Sequence, residues 1–184
     1  MGKRISTLFL IFFVISINNC SNKKNSEQIS TNIEKRIKSL PDSEIYDFVY
    51  KYTSNGRLKW ELFSEKAEIF KKQNIIKVNG VHLSFYNAKG EVDTGLDAKY
   101  GVVDNNKKIM TAVSNVVLRT AGGSVLYTDI LNWDDNSQKL FTDSKVKIIR
   151  ENGDIIKGTG LEADNRLEKI IIKHRVRGKI YENN

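Results

Sequence analysis

From Ile45 onward the chain alternates apolar and polar positions with a period of two. Val81, Leu83 and Phe85 share one parity, as do Val116 and Leu118, Val146 and Ile148, and then Ile170, Ile172, Val176 and Ile180. Polar and charged residues mostly take the other parity. Successive side chains of a strand point to opposite faces, so the pattern predicts strands with one buried and one solvated face. Turn residues punctuate the runs: Asn55-Gly56, Asn87 to Gly90, Asp104 to Asn106, Ala121 to Gly123, Asp134 to Ser137, Glu151 to Asp154 and Asp164-Asn165. Glycine accepts positive φ without a clash, and Asn and Asp tolerate it while bonding their own backbone. No long amphipathic helix competes in this region. The one proline, Pro41, precedes it, so nothing removes a donor from the ladders.

The runs also repeat. Val81, Val116, Val146 and Val176 each open a similar stretch, at separations of 35, 30 and 30 residues by subtraction. A second element precedes the later three: Gly95-Leu96-Asp97-Ala98, Thr128-Asp129-Ile130-Leu131 and Gly160-Leu161-Glu162-Ala163. Each repeat thus holds about two strands and two turns, the mark of a stacked architecture in which each unit buries its face on its neighbours. The reading is an all-β antiparallel meander wrapped around an aliphatic interior, with few large aromatics among the inward positions. A filled core and an open slot fit that pattern equally.

The first 43 residues follow another logic. Lys3 and Arg4 precede an apolar run, Ile5 to Ile17, broken only by Ser6, Thr7 and Ser16. At about 13 residues it has signal-segment length and falls short of the ~20 that span a bilayer. Cys20 follows directly and is the only cysteine, so no internal disulfide is possible. Residues 1–20 therefore read as a signal or anchor segment. Cys20 is a lipidation candidate, although Asn19 is bulkier than the small residue such signals place there. An uncleaved anchor with an incidental cysteine is the alternative. Met1-Gly2-Lys3-Arg4-Ile5-Ser6 also fits a loose myristoylation pattern, which the apolar run behind it makes coincidental. Residues 21–43 are a polar tether, in which Ile29, Ile33, Ile37 and Leu40 have near-helical spacing before Pro41. Residues 44–184 form the β-domain.

Charge narrows the partners. The chain carries a formal net charge of +8. Export makes nucleic acid a poor partner and anionic lipid or phosphorylated glycolipid a better one. Lys169, Lys173, Arg175, Arg177 and Lys179 alternate with Ile170, Ile172, His174, Val176 and Gly178, which directs five cations to one face of the last strand. Such a strand is either a solvated edge that discourages aggregation or a contact for lipid phosphates or an acidic partner. Catalytic chemistry is missing. His82 and His174 are the only histidines, and no His/Cys/Asp spacing suits a metal. No nucleophile elbow or phosphate loop occurs, and no cofactor is implied. Gly158-Thr159-Gly160 is a lone Gly-x-Gly, Asp134-Asp135 reads as a solvated turn, and His174 as a partly buried strand residue.

From Ile45 to Ile180 the chain resembles the LptC family. The resemblance starts with Tyr46-Asp47-Phe48-Val49-Tyr50 and Asn55-Gly56-Arg57-Leu58-Lys59-Trp60-Glu61-Leu62, followed by Glu65-Lys66-Ala67-Glu68. Val81 to Tyr86, Leu96-Asp97-Ala98, Asn115 to Leu118, Thr128 to Asp134, Val146 and Gly158 to Leu161 continue it in order. It implies an open antiparallel β-jelly-roll of stacked repeats. It also implies a job: receiving lipopolysaccharide or lipooligosaccharide from the inner-membrane export ABC transporter and passing it to an LptA-like periplasmic bridge protein by β-edge pairing. The implied groove is lined by Val81, Leu83, Phe85, Val116, Leu118, Val146, Ile148, Ile170 and Ile172, on a periplasmic protein held at the inner membrane by its N-terminal segment. Members often carry a true transmembrane helix, and this chain departs from them there. Two other functions stay open: a closed-core structural or adhesive lipoprotein without cargo, and a soluble LptA-like bridge subunit.

Overall fold

The computed structural model describes residues 40–180, so the signal segment, Cys20 and most of the tether lie outside the described residues. These residues form nine strands: β1 (Ser43–Ser54), β2 (Arg57–Phe70), β3 (Ile75–Tyr86), β4 (Val92–Asp104), β5 (Ile109–Thr120), β6 (Val125–Asp134), β7 (Lys139–Ile149), β8 (Ile155–Ala163) and β9 (Ile170–Lys179). Each pairs antiparallel with its neighbours in sequence. One sheet results, in the order β1 to β9, with β1 and β9 as its edges. The punctuation read from the sequence falls at the strand junctions. The turn between β2 and β3, Lys71 to Asn74, escapes that reading because it has no glycine and only one Asn. The repeat is also structural: Val81, Val116, Val146 and Val176 occupy β3, β5, β7 and β9.

A long sheet with one apolar face must cover that face. Here it does so by folding on itself. The register breaks mid-strand between Asp97 and Tyr100, Val113 and Val116, Thr128 and Asn132, Thr142 and Lys145, and Lys157 and Thr159. Left-handed residues mark the same file across the sheet: Gly80, Ser114 with Asn115, Gly160 and Arg175. Gly80 lies between the pairs Val81↔Ala98 and Asn79↔Tyr100, so it faces the β4 break. An extra residue at such a bulge bends the strand and flips the faces beyond it. In β3, Ile76 and Val78 are buried before Gly80, and Val81, Leu83 and Phe85 after it. The parity changes so that both halves keep their apolar residues inside. Each strand thus splits into two halves, and the sheet into two limbs about one fold line.

The turns of the second limb are stitched side by side. Asn74, Lys108 and Gln138 hold φ of 56°, 57° and 55° at matching places in successive turns. Asp104 Oδ1 accepts from the backbone N–H of Asn106 and Lys107, both at 3.1 Å. Asp134 repeats this with Asn136 and Ser137, and the Ser137 hydroxyl also donates to it at 2.8 Å. Those bonds, the Ser137 hydroxyl first, hold the Asp134 carboxyl below its ordinary range. Asp135 accepts from the Gln138 amide at 3.2 Å. The Asp134-Asp135 pair is therefore turn chemistry, as its position in sequence suggested. Asn74 and Asn106 bond side chain to side chain at 3.0 Å between adjacent turns, which ties β2–β3 to β4–β5.

The fold line is testable at Gly80. Its φ is +67°, and a Cβ there would sit 2.7 Å from Glu65 Cγ. Gly80→Ala is expected to cost about 1–2 kcal/mol in urea unfolding, because left-handed backbone is unfavourable for an L-residue. Asn115→Gly, at a position already left-handed, is expected to stay within about 0.5 kcal/mol of the parent.

Candidate functional site: an apolar seam and an open basic face

The inner faces of the limbs meet in one seam. Val81, Leu83, Phe85, Val116, Leu118, Val146 and Ile148 are all buried there. Ile170 and Ile172 are partly buried and pack against the same cluster. All the residues read as groove lining therefore belong to a single apolar interior. Contact is made across the fold: Phe85 of β3 and Trp133 of β6, on strands that do not pair, have ring centroids 4.8 Å apart. The seam is closed in this conformation. The void among Leu62, Val78, Phe85, Leu96, Met110 and Leu131 is about 30 Å³, room for roughly one water. An acyl chain fits only if the limbs part.

The two ends of the seam differ. Toward β1 it is aromatic. Tyr50 meets Trp60 edge-on at 5.5 Å and Tyr52 stacks on it at 5.4 Å. These rings, with Val103, Ile109 and Met110 of the other limb, border an opening of about 140 Å³. The Trp60 indole N–H is buried and finds no acceptor among the described residues. Toward β9 the turn Asp164–Lys169 reaches over the rim to the opposite limb. Arg166 grips Asp93 through Nε at 2.6 Å and Nη2 at 3.2 Å. The Thr94 hydroxyl donates to the Asn165 carbonyl at 2.9 Å, and the Arg150 guanidinium to the Leu167 carbonyl at 2.8 Å. Leu167 itself is 0 % exposed. It occupies the left-handed place held by Asn74, Lys108 and Gln138 in the earlier turns, at φ 56°. A leucine is a poor choice for that backbone. Its apolar side chain plugs the seam, and the bonds around it hold the strained conformation.

The last strand departs from the sequence reading in several ways. Left-handed Arg175 forms a bulge, with His174 opposite Thr159 and Arg177 opposite Lys157. Because Gly178 stands opposite inward Ile156, Val176 and Ile180 keep the inward parity of Ile170 and Ile172, yet at the sheet edge they are 59 % and 78 % exposed. His174 is exposed rather than partly buried. Lys173, Arg177 and Lys179 keep the outer parity, while Lys169 and left-handed Arg175 depart from that file. Lys169 lies in the turn before β9, its backbone N–H bonded to Asp164 at 3.1 Å. Lys173 pairs with Asp143 at 2.9 Å. Arg175 and Arg177 instead border an open groove of about 630 Å³ on the outer face, where Lys145, Lys147 and Lys157 join them. Lys179, farther along, lies opposite Ile155 of β8.

Residues 8–182 match the family described as "Lipopolysaccharide-assembly, LptC-related". The chain belongs to the LptC family. Among solved structures its fold is similar to that of LptH, described as the LptA homologous periplasmic component of the conserved lipopolysaccharide transport device from Pseudomonas aeruginosa. The TM-score is 0.54 at 14% identity, over 67% of this chain and 95% of that one. No curated protein sequence matches the chain. The open antiparallel jelly-roll expected of an LptC protein is thus the fold observed.

Three features of this LptC chain escaped the sequence reading. Trp60 and Trp133 belong to the seam, which is more aromatic than the alternation implied; Trp60 was visible as a motif residue and Trp133 shares parity with Leu131. Leu167 looked like loop, and only its apolar type in a polar turn hinted at a plug. Lys145, Lys147 and Lys157 are scattered in sequence and meet Arg177 only through strand register. The plug yields a prediction. Leu167→Ala is expected to lower unfolding free energy by about 2–5 kcal/mol, and volume-conserving Leu167→Met by less than about 1.5 kcal/mol. Urea titration of both variants checks it, and equal small effects would remove the plug.

Proposed function

We propose that this LptC protein is a non-enzymatic periplasmic bridge component. It takes lipopolysaccharide or lipooligosaccharide from an inner-membrane ABC transporter and hands it to an LptA-like protein. The observation that carries this reading is the seam: an apolar interior running the length of the sheet, held shut across the rim by side chains and one turn rather than by strand pairing. A closed barrel would have to break backbone ladders to admit cargo. This sheet needs only to part its limbs. The N-terminal segment, through lipidated Cys20 or as an uncleaved anchor, holds the domain at the inner membrane.

The energetics suit a carrier. An acyl chain of about a dozen methylenes gains roughly 10 kcal/mol on leaving water. In the seam it displaces contacts that the side chains already make with each other. The net gain is therefore smaller than the transfer value, and release to a similar neighbour is not prohibitive. Both sheet edges expose apolar residues, Tyr46 and Val49 on β1 and Ile171 and Val176 on β9. An edge strand offers unpaired backbone groups to a like sheet. We assign the β9 edge, Ile170 to Ile180, to the next bridge protein.

One observation favours a second reading. The seam's void of about 30 Å³ is what a permanently closed structural lipoprotein would show. Capture in cells separates the two. A photo-crosslinking residue at Phe85, Leu118 or Ile148 is expected to capture lipopolysaccharide, and one at outward Tyr100 is not. Labelling from Tyr100 alone would rule out the seam as the path. Truncation after Arg175 spares Ile170 and Ile172. It is expected to abolish pull-down of the next bridge protein, and retained pull-down would overturn the β9 assignment.

A further inference from the structure

The open groove beside the fold line has the wrong charge for an inert surface. Across β6 to β9, Tyr127, Lys147, Lys157 and Arg177 stand directly opposite one another in register. Neighbouring strands are about 4.8 Å apart, so three cations stand abreast on adjacent strands. Lys145 and Arg175 flank them, and among the described residues Asp129 is the only acid that borders the groove. Like charges placed opposite each other destabilise a sheet. Several other cations of the outer face have carboxylate partners: Lys51 meets Glu61 at 2.7 Å, Arg119 meets Asp97 at 2.7 Å, and Lys173 meets Asp143 at 2.9 Å. Among the described residues none of these five cations has a carboxylate partner, and Lys147 instead lies 5.6 Å from the Tyr127 ring centroid.

Edge protection does not account for the cluster. Lysines that discourage aggregation belong on edge strands. Lys145 and Lys147 lie on β7 and Lys157 on β8, both interior to the sheet. The groove's volume, about 630 Å³, is that of a small-molecule site, about 300–1,000 Å³. Clustered ammonium and guanidinium donors on a rigid sheet are suited to phosphate oxygens.

We infer that this groove binds the phosphorylated saccharide headgroup of the glycolipid, Lys147, Lys157 and Arg177 forming its centre and Lys145 and Arg175 its walls. The inference rests on the proposed transport role and adds a second, external site to it. At β9 the sheet ends, so the outer groove and the inner seam are separated there by a single strand. Cargo leaving past β9 would bring its headgroup to Arg175 and Arg177.

The test uses the full chain in detergent and water-soluble probes. The first is the glycolipid's saccharide after complete deacylation, the second the same saccharide after phosphatase treatment, and the third glycerophosphoglycerol, an ordinary phospholipid headgroup. Calorimetric titration is expected to give saturable binding of the first, about tenfold tighter than either other probe. Lys157→Glu is expected to weaken that binding at least about tenfold while raising Tm, because it relieves the like-charge row. A folded, stabilised variant that loses binding cannot be explained by unfolding. No saturable binding, binding insensitive to phosphatase or to Lys157→Glu, or equal binding of glycerophosphoglycerol would each overturn the assignment. The probe has no acyl chains, so its failure leaves the seam untouched. Failure of crosslinking from Phe85, Leu118 and Ile148 is read separately and strikes the seam alone.

Discussion

A single sheet with one apolar face cannot persist in water, and the file of mid-strand bulges is what resolves that problem here. Gly80, Ser114 with Asn115, Gly160 and Arg175 take left-handed backbone in near alignment across neighbouring strands. The sheet turns over along that line and covers its own face. Everything else follows from this constraint. The limbs supply each other's core, so no helix or second sheet is needed. Because consecutive strands still pair in order, both edges remain unpaired among the described residues. Closure of the rim is left to side chains and one turn, a weaker bond than a strand ladder.

The rim shows how the closure is distributed. At the β1 end it is aromatic, with Tyr50, Tyr52 and Trp60 facing the opposite limb across a small opening. At the β9 end the turn carrying Arg166 and Leu167 is clamped to Asp93, Thr94 and Arg150. A stiff plug at one end and a looser aromatic mouth at the other give the seam a direction. Leucine on left-handed backbone costs conformational energy, as Lys108 and Gln138 do in two earlier turns, whereas Asn74 tolerates it. The gain is an apolar cover where the seam would otherwise meet water.

The outer face carries a parallel asymmetry. Several of its cations have carboxylate partners, as Lys66 has in Glu44 and Glu68, which hold the Lys66 ammonium up at about 12. At Lys147, Lys157 and Arg177 cations stand together across adjacent strands with no carboxylate partner among the described residues. Surface pairs contribute little to stability individually. Their absence at one place is thus tolerable, and it leaves a field that anions would feel. The two unusual surfaces, the plugged end of the seam and the unmatched cations, both lie toward the β9 edge.

The sequence by itself determined what depends on near neighbours. Period-two alternation located the strands, Asn, Asp and Gly located most turns, and the valine repeat placed β3, β5, β7 and β9 in equivalent positions. Seven seam residues, from Val81 to Ile148, came from parity alone and are buried as expected. Tertiary structure decided whatever depends on register between strands. The bulge at Arg175 matches the parity change at Gly160 of β8, so Val176 keeps its inward parity and is exposed, like His174, because β9 is the edge of the sheet. Trp133 met Phe85, and Lys147, Lys157 and Arg177 came abreast, through pairings that residue spacing does not encode. The family match and the apolar seam were readable in one dimension. The closed state of that seam, its plug and its basic flank exist only once the sheet has folded over.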